Sequence, residues 1–253
     1  MAETGCYLYA VTRAGTTSPE GTGLRGAPLV AVEDRGLTAV VSEVDLTEFG
    51  EDGLRRHMED LAWLEEVARA HDDVVRRLAA VGAVAPLRLA TICLDEDAVR
   101  ARLGEWHAEL DAALQRVEGR AEWSVKLYVD RADAADQAKE RVSREPGAGA
   151  AYLRRKQTES QRRQEANQQA ADAAEDLHSV AVHHAVASRR LQPQDPRLTG
   201  DTGTMLLNGA YLVPVGDDTF AQAVEAFTTA HPDLRVVVQG PWPPYSFASL
   251  EPQ

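Results

Sequence analysis

Seven histidines, two cysteines and a few paired acids are the groups in this 253-residue chain with the right types for chemistry. Their spacing gives them little to do. His57 and His71 fall on one helix-like stretch but some four turns apart, too far to share a metal, so a hydrogen-bonded core histidine is expected. His178, His183 and His184 gather near the end of another helix, yet a spacing of five puts 178 and 183 on different faces. Glu65-Glu66 and Asp72-Asp73 lie on the wet side of an amphipathic helix, where acids normally sit. Cys6 and Cys93 are embedded in apolar, strand-like runs and offer neither a metal spacing nor a disulfide framework. Buried, inert thiols in a reducing compartment are expected there. Gly21-Thr-Gly23-Leu-Arg-Gly26 has the spacing of a dinucleotide-binding turn. A long loop precedes it and Pro28 and a strand follow, so no helix N-terminus faces a pyrophosphate. Gly-x-Ser-x-Gly, P-loop and His-Glu-x-x-His motifs are missing. No catalytic group, cofactor or metal is expected, and the chain reads as an interaction module rather than an enzyme.

Two clusters remain as candidate protein-interaction residues. The first is the basic face of a long helix, with Arg154, Arg155, Arg162 and Arg163. A solvated helix surface is its plainer meaning. The second is the tail Gly240-Pro-Trp-Pro-Pro-Tyr-Ser-Phe247, which holds Trp242, Tyr245 and Phe247 on a proline-stiffened backbone. Three prolines argue against helix and sheet there. Such a segment packs on a neighbouring surface, in its own chain or in a partner.

Composition narrows the class. The chain is 44% hydrophobic, enough for real cores, and its net charge is −13. A nucleic-acid binder would need a basic face, so none is expected. No run approaches the ~18 apolar residues of a membrane span, and the start lacks a basic-then-apolar leader pattern. A soluble, cytoplasmic protein is expected.

Hydrophobic periodicity then places the elements. Cys6–Val11 reads as a buried strand, and Leu29–Val32 and Leu37–Val44 as two strands around the turn Glu33–Gly36. A helix is predicted over 53–80, with Leu54, Leu61, Leu64, Ala68, His71, Val75 and Leu78 on its apolar stripe and Trp63 at one edge. Val84–Leu94 is a nearly continuous apolar strand whose one charge, Arg88, needs a partner if buried, with Asp72 or Asp73 at hand. A further helix from Asp95 to about Val117 ends at Gly119.

A second half opens with the strand Glu122–Val129, whose Trp123, Val125, Leu127 and Val129 face one way. A short helix to about Arg144 follows, broken by Pro146-Gly147. The long helix then runs over about 149–184, polar in its first half and carrying an apolar stripe of Ala170, Ala173, Leu177, Val180 and Ala187 in its second. Strands over 186–191 and 205–215, a helix over 220–230 and a strand over 234–239 complete the order βαββαβ, a ferredoxin-like arrangement. Asn208-Gly209 makes either a hairpin turn or a bulge within one strand. The fold class is α+β, with an N-terminal α+β domain (1–120), a ferredoxin-like domain with a long crossover helix (121–241) and a C-terminal extension (242–253).

Several segments, in order, resemble the gas vesicle protein GvpF/GvpL family: CYLYAV, GLTAVVSEV, DLAWLEEVARAHDDVV leading into VAPLRLATIC, EWSVKLYVD, GAAYLRRK before the long helix, LNGAYLVPV and GPWPPYSF. They span essentially the whole chain, and GPWPPYSF and GAAYLRRK are the most specific. One departure is visible: where the family strand reads like PLRFGT, Leu89 and Ala90 replace Phe and Gly. The resemblance implies an accessory protein of gas vesicle assembly with an N-terminal α+β domain, a modified ferredoxin-like domain and a C-terminal extension. Its implied partners are the very hydrophobic shell subunit (GvpA-type) and other accessory gas vesicle proteins, with a location in the cytoplasm and at the vesicle. The competing readings are a ferredoxin-like small-molecule sensor or enzyme, which fold alone does not warrant, and a nucleic-acid binder using the Arg154–Arg163 face.

Overall fold

The computed structural model describes residues 3–16, 21–129, 148–193 and 203–248. The helix expected to end near Arg144 lies outside them. The chain forms two compact units, Met1–Glu122 with Gly240–Gln253, and Trp123–Gln239.

The first unit is built on a five-stranded sheet. Its strands are β1 (Thr4–Arg13), β2 (Leu29–Asp34), β3 (Leu37–Asp45), β4 (Ala85–Pro86) and β5 (Ile92–Cys93). Order β2-β3-β1-β4, with β5 also on β1, makes β1 central. Tyr7 to Thr12 are accordingly at most 1% exposed, as expected of a strand covered on both faces. Residues Arg35 and Gly36, both at positive φ, make the two-residue β2–β3 hairpin. Pairing of β1 with β3 slips between Leu8 and Ala10, so Tyr9 is the extra residue of a bulge.

The helix predicted over 53–80 is interrupted. It is α2 (Glu51–His57), preceded by the single turn α1 (Leu46–Phe49), and α3 (Leu61–Ala79). The Asp60 carboxylate accepts from the Ala62 and Trp63 amides and starts α3 afresh. Within α3 His71, Val75 and Leu78 of the expected stripe are buried, together with Trp63, Val67 and Val74, whereas Leu61, in its first turn, is 77% exposed. The second predicted helix also breaks, at Trp106, into α4 (Glu96–Glu105), capped by Asp95, and α5 (His107–Val117).

The strand expected over 84–94 is likewise two short pieces. Ala85 and Pro86 pair with Val11 and Ala10, and Ile92 and Cys93 with Tyr7 and Cys6. Leu87 donates its amide to the Tyr9 carbonyl, and Leu8 to that of Thr91. Three residues, Arg88, Leu89 and Ala90, are therefore looped out of register, with Ala90 at φ +60°. The loop leaves Arg88 exposed, so it needs no buried partner. Asp72 and Asp73 pair instead with Arg76 and Arg77.

The second unit has strand order β7-β8-β6-β9, from β6 (Arg120–Val129), β7 (Ala187–Arg190), β8 (Thr204–Pro214) and β9 (Arg235–Trp242). That is the ferredoxin-like order. Helix α6 (Ala148–His183) lies between β6 and β7, and α7 (Thr219–Ala230) between β8 and β9. Ala173, Ala174, Leu177 and Ala181 of α6 pack with Val125, Leu127, Tyr211, Phe220 and Val224 into one core. The helix stops at His183, so Ala187 belongs to β7 rather than to the stripe. Asn208-Gly209 lies inside one uninterrupted strand, where Gly209 pairs with Arg190.

The tail departs from expectation. β9 continues through Pro241 to Trp242, and Tyr245–Ala248 forms one helical turn, α8. β9 is the sheet edge, where a proline can be accommodated without losing a ladder donor. Pro244 precedes α8, and its carbonyl accepts from the Phe247 and Ala248 amides.

Candidate functional site

The two candidate clusters have different fates. Arg154, Arg155, Arg162 and Arg163 lie along the first half of α6, and their side chains fall outside the described residues. Every described side chain from Lys156 to Gln169 is exposed.

The aromatic tail is held within the first unit. Arg76 of α3 sits over the Trp242 ring, 4.4 Å from its centroid. Tyr245 donates its hydroxyl to Asp72 at 3.1 Å, which with burial pushes its own pKa upward. Phe247 is 2% exposed, and its carbonyl accepts from Arg116 at 2.9 Å. Ser246 donates its amide and hydroxyl to Glu122 at 2.7 and 2.6 Å. Buried carboxylates need such donors.

A second polar constellation sits in the same unit. His71 Nδ1 lies 3.0 Å from the Tyr7 hydroxyl, which also accepts the Ala90 amide at 3.2 Å. The Tyr7 hydroxyl thus bridges the His71 ring and the Ala90 amide. Burial holds the His71 pKa down at about 4 and pushes that of Tyr7 up. Here the expectation of a hydrogen-bonded core histidine holds. His57 is different: it stacks on Trp63, ring centroids 5.1 Å apart.

The glycine-rich turn serves the core. Leu24 donates its amide to the Tyr9 hydroxyl at 2.7 Å, and the same hydroxyl meets Ser42 Oγ at 2.7 Å. A Cβ on Gly23 would fall 2.2 Å from that oxygen, so glycine is needed for close approach to Tyr9. Only a three-residue 3-10 turn follows, Leu24–Gly26, and it offers no helix N-terminus.

Other candidates are also accounted for. His178 hydrogen-bonds Tyr211 at 2.8 Å, and burial raises the Tyr211 pKa to about 12. His183 and His184 meet edge to face. Cys6 and Cys93 are direct cross-strand partners on β1 and β5, both free, with pKa values raised foremost by burial. Among the described residues no group of three or more His, Cys, Asp or Glu is placed to hold a metal, and no helix is long and apolar enough to cross a membrane.

Sequence reasoning missed the Tyr7–His71 and Glu122–Ser246 pairs, whose members are 64 and 124 residues apart. The one local signal was Tyr7-Leu-Tyr9, two phenols at strand spacing inside an apolar run that must find buried partners.

Comparison with known proteins agrees with this architecture. The family described as "Gas vesicle synthesis protein GvpL/GvpF" matches residues 5–249. Gas vesicle protein L of Streptomyces sp. (strain CB03234) is 39% identical over 249 residues, covering 96% of this chain and 92% of that protein. Gas vesicle protein F of the same strain is 30% identical, covering 95% and 98%. Among solved structures, the crystal structure of GvpF from Anabaena sp. PCC7120 superposes with a TM-score of 0.65 at 19% identity, covering 98% of this chain and 99% of that one. GvpF from Microcystis aeruginosa gives 0.60 at 20%, covering 97% and 99%. With a shared two-sheet α+β fold and a family match across nearly its whole length, the chain belongs to the GvpL/GvpF family of gas vesicle proteins.

Proposed function

We propose that this protein is an accessory factor of gas vesicle assembly that binds the hydrophobic shell subunit, and other accessory gas vesicle proteins, in the cytoplasm and at the growing vesicle. Family membership over residues 5–249 is the observation that carries the reading. A shell subunit with uncovered apolar surface aggregates. A soluble acidic partner keeps such a complex dispersed, and the net charge here is −13. The role is non-catalytic in this reading, and the phenols of Tyr7, Tyr9, Tyr211 and Tyr245 take part in internal hydrogen bonds.

The contact surface in this proposal is the first half of α6. Helices in globular proteins draw most of their stability from packing an apolar face, yet the described side chains of this half, between Lys156 and Gln169, are polar and exposed. Arg154, Arg155, Arg162 and Arg163 are its contact residues. Trp242, Tyr245 and Phe247 serve the internal framework of the first unit.

Co-expression with the shell subunit from the same gene neighbourhood, followed by tag pull-down, tests the proposal. A soluble complex is expected, weakened when the four arginines are replaced together by glutamate. Absence of a complex, with both proteins present and folded, would count against shell-subunit binding and favour a partner among the other accessory proteins.

A further inference from the structure

The chain has two cysteines, Cys6 and Cys93, and folding sets them opposite each other on β1 and β5. The strands are antiparallel there, with Tyr7 facing Ile92 at the next position. Directly opposed residues of an antiparallel pair project to the same face of the sheet. The Leu8 amide bonds the Thr91 carbonyl at 2.9 Å. Alternation along the ladder then makes Cys6 and Cys93 a hydrogen-bonded pair, with Cα atoms about 5.5 Å apart. That separation lies within the roughly 4.4–6.8 Å spanned by disulfides. Both thiols are free in this structure.

The two sulfurs differ in access. Cys93 is 7% exposed, whereas Cys6 is half-buried. Burial, above all, pushes both pKa values up. Glu96, Cys93, Asp95 and Glu43 push Cys6 the same way, so the Cys93 sulfur is within electrostatic reach of it. Beside Cys93 the Arg102 guanidinium acts in the opposite sense and favours the thiolate. Thiols held in this way react slowly with oxidants, and a reducing compartment keeps them as a dithiol.

We propose that Cys6 and Cys93 are a redox pair, oxidised by a hydroperoxide to an intrachain disulfide that staples β5, and the entry to α4 behind it, to the central strand β1. Cys6 is the more accessible sulfur and reacts first. Its thiolate attacks a peroxide oxygen, the O–O bond breaks, and Cys6 becomes a sulfenic acid while the departing oxygen takes up the thiol proton. Cys93 then attacks the Cys6 sulfur, forming the S–S bond and expelling hydroxide, which leaves as water with the Cys93 proton. Two thiols and one hydroperoxide thus give one disulfide, one water and one alcohol, or a second water when the oxidant is hydrogen peroxide. β5 is only two residues long and follows the looped-out Arg88–Ala90, so its hold on β1 is short. A covalent tie there closes a long loop of chain and stabilises the folded unit. The inference is independent of the gas vesicle reading.

The full chain, reduced and then freed of reductant, would be treated with hydrogen peroxide while still folded. Intact mass, thiol counting in denaturant, non-reducing electrophoresis and peptide mapping would follow the product. Both thiols should disappear together in a monomer whose mass falls by about 2 Da, with a Cys6–Cys93 cross-linked peptide, and dithiothreitol should restore them. The oxidised monomer should melt at least about 5 °C above the reduced one. Cys93→Ser, where it folds, should leave a dimedone-reactive sulfenic acid on Cys6 that the parent does not accumulate. Four outcomes would each overturn the proposal: disulfide-linked dimers; oxygen added to Cys6 with Cys93 still free; thiols that survive in the folded chain at a dose that oxidises the urea-unfolded chain; or an oxidised monomer with no rise in melting temperature.

Discussion

Ser246 gives both its amide and its hydroxyl to the two carboxylate oxygens of Glu122, at 2.7 and 2.6 Å. Glu122 closes the first pass of the chain through the first unit, and Ser246 belongs to the segment that returns to it. The pair fastens the tail where Phe247 is buried. Replacing Ser246 by Ala should cost about 1–3 kcal/mol, the range for a hydrogen bond to a buried charge. Phe247→Ala should cost about 3–5 kcal/mol as a core cavity. Urea melts of each variant would measure this, and a tail that is only decorative would give no loss.

The Tyr7–His71 pair predicts a pH dependence. The folded-state pKa of His71 is about 4, against an ordinary 6.5. As pH falls, the unfolded chain therefore takes up the proton first. The contribution is fully present above about pH 6.5 and is lost progressively down to about pH 4, roughly 3 kcal/mol in all at ~1.4 kcal/mol per unit. Urea midpoints at pH 7 and pH 4.5 should differ less in His71→Gln than in the parent. An equal gap in both would remove His71 as the cause.

Ala90 occupies a left-handed conformation at φ +60°, at the position where the family strand carries glycine. A Cβ in that region costs about 1–2 kcal/mol, partly offset by the greater unfolded-state entropy of glycine. Ala90→Gly should therefore raise stability by up to about 1 kcal/mol. Calorimetric melting would show a rise of a few degrees, and a fall would mean that the Ala90 methyl contributes more to packing than its backbone costs.

Gly23→Ala should act in the opposite direction. The new Cβ would fall 2.2 Å from the Tyr9 hydroxyl and displace the turn that donates the Leu24 amide. Loss of that contact and of the buried phenol's partner should cost about 2–4 kcal/mol. Chemical denaturation would test it. A near-neutral result would show that the loop repacks without strain.

Periodicity carried much of the fold because it reports burial directly. Alternation in Glu122–Val129 and the Ala173–Leu177 stripe of the long helix marked core faces that the structure uses. The order βαββαβ then followed from counting elements, and the family from segments such as GPWPPYSF. What periodicity could not report was where an element breaks. Asp60 starts α3 afresh after α2, and three looped-out residues divide the strand expected over 84–94. Both depend on capping and pairing partners that a hydrophobic pattern does not encode.

Sequence alone therefore determined the α+β class, the element order, the long helix and the absence of a recognisable catalytic motif, because these follow from local composition and spacing. The partners of each buried polar group were decided only by tertiary structure. Tyr7 reaches His71, Tyr9 reaches Leu24 and Ser42, and Glu122 reaches Ser246, because strands and helices distant in the chain bring them together. The same folding takes up Phe247, whose sequence context allows an internal anchor or a docking residue and favours the first. Its burial, at 2% exposure, is a property of the whole packed unit.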